Sequence, residues 1–160
     1  AMSDMDIYRH ITPAFLSSRS ALLGSAQLIV LDTNIPAESI AWLAENCRVP
    51  LFADPVSTVK AEKLRPVLGK LHTLKPNRLG ADGVFAADRT SRCHIPCRPG
   101  KMVNTTGCGD AFMAAIAWAY LEGTDLEGTA RAGLAASSIA MESEETINPA
   151  MSAEEIRHRL

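Results

Sequence analysis

The sequence predicts an α/β fold built in layers around a mostly parallel sheet, and three observations predict it. Short apolar runs alternate with stretches of helical period through the first half of the chain, the pattern of strands joined by right-handed crossovers. Asp54, Lys75 and Asn77 fall at the carboxyl ends of two such runs, 51–54 and 72–75, and open α/β sheets take their ligands at the carboxyl ends of strands. With 160 residues and 47% hydrophobic content, the chain can bury one sizeable core, so a single domain is expected.

The elements follow in order. Residues 12–25 read as a helix opened by Thr12 with Pro13 in its first turn, and 27–32 as a short buried strand. Residues 36–46 form the next helix, 51–54 a strand, 59–68 a helix broken or kinked near Pro66, and 72–75 a strand. After Gly80 the style changes: 84–87 and 93–96 flank the polar turn Asp88-Arg89-Thr90-Ser91 and read as an antiparallel hairpin beside the parallel sheet. Three helices follow. Residues 110–121 are apolar nearly all round, with Ala111, Ala114, Ala115 and Ala117 permitting close contact, so this helix is expected to be central. Residues 126–141 form a second, Ala-rich helix, and 152–160 open on a capping box, Ser152 with Glu155.

Charge and cysteine usage exclude several classes. Sixteen basic against 18 acidic residues, a net charge of −2, give no electrostatic case for nucleic acid or membrane as a main partner. The richest apolar run, 111–121, is too short to span a bilayer, and no signal-peptide pattern opens the chain, so a cytoplasmic protein is expected. Cys47, Cys93, Cys97 and Cys108 show no disulfide-framework spacing and are expected as reduced thiols. Cys93-His94-x-x-Cys97 is one close metal-type cluster without a second pair, and reads better as a hairpin arm. His10, His72, His94 and His158 are dispersed and read as structural or surface residues.

Chemistry concentrates in residues 104–123, NTTGCGDAFMAAIAWAYLEG, where a Thr/Gly-rich turn enters an apolar helix. A helix N-terminus leaves backbone N–H groups unpaired and carries about half a positive charge, so small residues at Gly107, Cys108 and Gly109 would let phosphate oxygens approach. Asp110 would repel a resting phosphate, yet it is suited to orienting and deprotonating an attacking hydroxyl. An ordinary glycine-rich cap with a first-turn acid explains the same residues. The Walker A pattern fails, because Ile95 stands five residues before Gly100 and Met102 follows Lys101; the 107–112 run lacks the third glycine of a dinucleotide fingerprint. Cys108 reads as a small filler of the turn, although a helix N-terminus can also activate a thiol.

The run Asn104-Thr105-Thr106-Gly107-Cys108-Gly109-Asp110 resembles the second signature of the PfkB/ribokinase family of sugar and nucleoside kinases, D-T-x-G-A-G-D before an apolar helix. The resemblance implies a ribokinase-like three-layer α/β/α fold, in which Gly107, Cys108 and Gly109 form an anion hole for the transferred phosphoryl group and Asp110 is the catalytic base. It also implies ATP and Mg2+ as cofactors and a small nucleoside or sugar as partner, with room for a homodimer of the full-length protein. Asn104 replaces an aspartate that in many members helps hold a monovalent cation, so K+ near Asn104 and Thr106 is an open expectation.

Further segments match the family in order along nearly the whole chain: 31–45, 51–64, HTLKPNRL at 72–79 and LGADGVF at 79–85. The resemblance implies nucleotide contacts at Asn77, Gly80, Gly83, Thr105, Thr106 and Asn148. Each also has a plain structural reading, as a turn residue after Pro76, a hairpin entry, a helix cap or a loop before the last helix. The DPVS-x-VKA and ESEETINP runs look most like pseudouridine kinases, which implies phosphorylation of the pseudouridine 5′-hydroxyl; a ribokinase-like sugar kinase and a non-catalytic nucleotide-binding fragment are the alternatives. Two stretches of the family pattern have no counterpart. After K-P-N the family continues with N-x-x-E, whose glutamate acts on magnesium through water, and about 40 residues of helix and strand; here Leu79-Gly80 follows at once, as if a segment near 79–80 were omitted. The family's first strands, β lid and acceptor-gripping aspartate are also unmatched. The chain therefore reads as the C-terminal part of one kinase domain, inactive alone.

Overall fold

The computed structural model describes residues 5–75, 83–97, 100 and 102–160, and the chain divides into two compact units, Ala1–Asn77 and Arg78–Leu160. In the first, a 3-10 turn Met5–His10 leads to helices α1 (Pro13–Ser17) and α2 (Ser20–Ser25). Strand β1 (Ile29–Asp32), helix α3 (Ala37–Asn46), strand β2 (Leu51–Asp54), helix α4 (Thr58–Ala61), a 3-10 segment Glu62–Lys70 and strand β3 (Thr73–Leu74) complete it. The three strands are parallel in the order β1-β2-β3, with Leu31 opposite Ala53 and Ala53 opposite Leu74. Leu31, Leu51 and Ala53 meet Ile40 and Leu43 of α3, Leu16 of α1, and Leu64 and Val67 in one buried cluster.

Local chemistry explains the departures from the expected elements. The helix expected over 12–25 is two helices, because the Ser18 hydroxyl donates to the Phe15 carbonyl at 2.6 Å and the Ser20 hydroxyl to the Ser17 carbonyl at 2.5 Å. Serines that bond locally to the main chain compete with the helix ladder. Thr12 does cap the first helix, accepting from Phe15 N. The helix expected over 59–68 turns 3-10 at Glu62, the residue whose carbonyl would wait for the N–H that Pro66 lacks.

At the carboxyl ends of this sheet Lys75, 4% exposed, pairs with Asp54 at 2.6 Å. The other Asp54 oxygen accepts from Val56 N, and the buried Thr33 hydroxyl donates to the Pro55 carbonyl. Val56 sits at φ 55, a costly conformation for a β-branched residue.

The second unit holds an antiparallel pair, β4 (Val84–Ala87) and β5 (Arg92–Ile95), with Phe85 opposite His94. Helices α5 (Cys108–Leu121), α6 (Leu126–Met141) and α7 (Ala153–His158) follow. Helices α5 and α6 pack through Ala115, Ala119, Ala132, Ala135, Ala136 and Ile139, with Ile156 of α7 against them. The packing is close enough that a Cβ on Gly133 would lie 2.6 Å from the Phe112 ring. Asp125 caps α6 and Ser152 caps α7, accepting from Gly128 N and Glu155 N. Among the described residues no helix is long and apolar enough to cross a membrane.

Candidate active site

Gly107 opens α5. It is the N-cap, at φ 83 and ψ −8, and this left-handed step turns the chain into the helix in one residue. The N–H of Ala111 donates to its carbonyl at 2.8 Å, closing the first turn. Helix α5 thus begins at Cys108, two residues before the start at Asp110 that periodicity predicts. Cys108, Gly109 and Asp110 occupy its first three positions, where backbone N–H groups point out of the helix end and the helix dipole favours an anion. The Cys108 N–H also reaches the Thr105 carbonyl at 3.4 Å. The Asp110 side chain is exposed beside these amides.

Two structures hold this turn from behind. On one side the Asn104 side chain works at both ends: its Oδ1 accepts from Thr106 N at 2.9 Å, and its Nδ2 donates to the Glu144 carbonyl at 3.2 Å. Val103 N and Asn104 N both donate to the Met141 carbonyl at the end of α6. A Cβ on Gly107 would lie 2.6 Å from the Thr146 carbonyl, so the 142–148 loop packs directly on the glycine. On the other side the buried Ser137 hydroxyl of α6 donates to the Cys108 carbonyl at 3.0 Å. The Cys108 side chain is buried, and burial pushes its thiol pKa up. That is the opposite of an activated thiol, and it agrees with a filler.

The remaining expected residues divide. Thr105 and Thr106 are exposed in the same turn. The Asn148 amide donates to the Ile139 carbonyl at 2.6 Å, and its oxygen accepts from Ala150 N at 2.9 Å, so both ends of the side chain serve the loop after α6. Gly83, at φ 103, has the Ile95 carbonyl where a Cβ would stand, a close approach within the hairpin. Asn77 and Gly80 lie outside the described residues. Cys93 and Cys97 are part of no metal-ligating cluster, since no group of three or more His, Cys, Asp or Glu gathers among the described residues.

Sequence reasoning missed Ser137, Gly133, Glu144 and Thr146. Gly133 carried a visible signal, because a glycine inside an Ala-rich helix costs about 1 kcal/mol relative to alanine and so has a packing reason. Ser137 and the two loop residues act through main-chain contacts 29 to 40 residues away in sequence, which no local pattern encodes.

This geometry has relatives. Residues 78–153 match the model of the pfkB family of carbohydrate kinases. The chain is 33% identical to the pseudouridine kinase of Escherichia coli (strain K12) over 190 aligned positions, which cover 95% of this chain and 60% of that protein. Among solved structures, a carbohydrate kinase from Agrobacterium tumefaciens superposes with a TM-score of 0.81 at 23% identity, covering 99% of this chain and 62% of that one. The ribokinase of Arabidopsis thaliana complexed with ribose and ATP superposes with a TM-score of 0.68 at 17% identity, covering 88% and 58%. The chain thus spans less than two thirds of these relatives, with a ribokinase-like α/β fold. Its matched residues 78–153 and its likeness to these kinases make the chain similar to the pfkB family of carbohydrate kinases.

Proposed function

We propose that the full-length protein containing this chain is an ATP-dependent kinase that phosphorylates a hydroxyl of a nucleoside or sugar, with the 5′-hydroxyl of pseudouridine as the leading acceptor. The observation that carries the reading is the first turn of α5, which Gly107 opens in a left-handed conformation and which sets the exposed Asp110 at the helix start beside Cys108 and Gly109. Asp110 takes the proton of the acceptor hydroxyl as its oxygen bonds to the γ-phosphorus. The bond from that phosphorus to the β,γ-bridging oxygen breaks, and ADP leaves. A loose phosphoryl-transfer transition state needs little from the base beyond positioning, and most of the help comes from donors aimed at the transferring oxygens. Gly107, Cys108 and Gly109 supply those donors. Thr105, Thr106, Gly83, Asn77 and Gly80 are proposed to line the nucleotide; for Asn148 the proposed contribution is the main chain of its loop, because its side chain is engaged elsewhere.

The residues present bear differently on the two cations. Mg2+ commonly binds through substrate phosphates with one or two carboxylates; Asp110 is the carboxylate at this turn, and Mg2+ would neutralise phosphate charge. A monovalent cation beside Asn104 has less to do, because the neutral Asn104 amide itself donates to the Glu144 carbonyl.

Asp110→Asn in the full-length protein is expected to leave ATP binding largely intact and to lower turnover by about 10²–10⁴-fold, the usual share of a positioned base. Near-normal turnover would sink the assignment. A panel of pseudouridine, uridine, ribose and fructose phosphate separates a nucleoside kinase from a sugar kinase. The similarity to pseudouridine kinase and the ESEETINP loop packed on the anion turn support the first.

A further inference from the structure

We infer that Asn104 is a positioning residue: its neutral amide clamps the anion turn to the 142–146 loop without the help of a cation. The inference rests on the kinase reading above and adds how that site is held.

The orientation of the amide is fixed by its partners. Thr106 N can only donate and the Glu144 carbonyl can only accept, so Oδ1 must face the first and Nδ2 the second. The two bonds join three parts of the unit: the entry segment at Val103 and Asn104, docked on the Met141 carbonyl; the Thr106–Gly107 turn; and the loop beyond α6. A second contact backs the same joint, the Thr146 carbonyl against Gly107. Asn104 is half-buried, while its partners Thr106 and Glu144 are exposed. Moving the loop would move Gly107, and with it the amides of the first turn of α5.

Chemistry dictates what a carboxylate would do here. Asp at this position keeps the acceptor for Thr106 N, but it sets an anionic oxygen against the Glu144 carbonyl where the amide donated. Two oxygens with no proton between them repel, and a small cation bridging them is the simplest relief. The wild-type amide supplies that bridge itself.

The test uses the full-length protein with ATP and pseudouridine, in KCl, NaCl and choline chloride at equal ionic strength. Wild-type turnover and thermal midpoint are expected to be the same in all three salts. Asn104→Asp is expected to lose at least tenfold in kcat in choline chloride, to recover most of it in KCl, and to melt higher in KCl than in choline. Asn104→Ala is expected to lose kcat in every salt, with the ATP dissociation constant raised and no recovery. Wild-type protein whose melting point and turnover rise selectively with K+ overturns the inference, as does Asn104→Ala with unaltered kinetics. If Asn104→Ala fails to fold, the salt response of the wild type and of Asn104→Asp still decides. Wild-type protein with no kinase activity on any acceptor sinks the kinase reading, while the melting comparison still judges the clamp.

Discussion

At Gly107 two independent demands meet. Its φ of 83 lies where a side chain is strained, and the Thr146 carbonyl fills the place of a Cβ at 2.6 Å. Alanine would have to relieve both, and the clashing carbonyl is main chain rather than the end of a flexible side chain. Strain of this kind costs on the order of 1–3 kcal/mol, and alanine is also a poorer N-cap than glycine. Gly107→Ala is therefore expected to destabilise the protein by about 1–3 kcal/mol in denaturant titration and to lower kcat as the 108–110 amides shift. Unchanged stability would mean that the loop at Thr146 yields freely. Much of this site was legible. The Gly-Cys-Gly-Asp order announces a tight turn at a helix start, and Cys108 reads as a filler. The buttress was not legible, because Glu144 and Thr146 act with main-chain carbonyls, which every residue type possesses.

At the scale of elements, the helices with strong local signals read well from sequence: α6 begins and ends at the expected residues, and α7 follows the Ser152 cap. Where competing main-chain bonds or a proline intervene, at Ser18, Ser20 and Pro66, periodicity overstates helix length. Short strands suffered in the same way. The strand expected over 72–75 is only Thr73–Leu74, although His72 N and Lys75 N still donate to Leu51 and Ala53 carbonyls. Helix α7 raises a question of its own, since it is only six residues long and must be held by tertiary contacts. Ile156 supplies an apolar anchor, and Arg159, just past the helix, bonds both Glu142 at the end of α6 and Glu155. The hydrogen bond from Arg159 holds the Glu142 carboxyl below its ordinary 4.5. A carboxyl with a depressed folded pKa adds stability above the unfolded value, and that stability is lost as pH falls through the folded one. Docking of α7 is thus expected to weaken below about pH 4.5. The Arg157 guanidinium lies 5.0 Å from the Trp118 ring, so Trp118 emission, read in a Trp42→Phe background, reports the change. Arg159→Met should show the undocked emission already at pH 7 and no acid step; an unaltered acid step would remove Glu142 from the account.

For the whole molecule the question is what this chain can do alone. The 190 aligned positions with the Escherichia coli pseudouridine kinase include about 152 residues of this chain, so about 38 positions have no counterpart here. The chain spans only 60% of that relative. The proposed base and the proposed anion turn both lie within residues 104–110, yet phosphoryl transfer to an alcohol also requires the acceptor oxygen to be held in line with the breaking bond. Orientation of that kind is worth effective concentrations of about 10⁵–10⁸ M, far more than the base contributes. A turn that binds phosphate but holds no acceptor is expected to be nearly silent in catalysis. The polypeptide of 160 residues and 17.2 kDa should accordingly release no ADP above background with pseudouridine or ribose, even where it binds ATP in equilibrium titration. The gene product that contains it should have an intact mass well above 17.2 kDa and turn over. Turnover by the 160-residue polypeptide would mean that the described residues grip the acceptor after all.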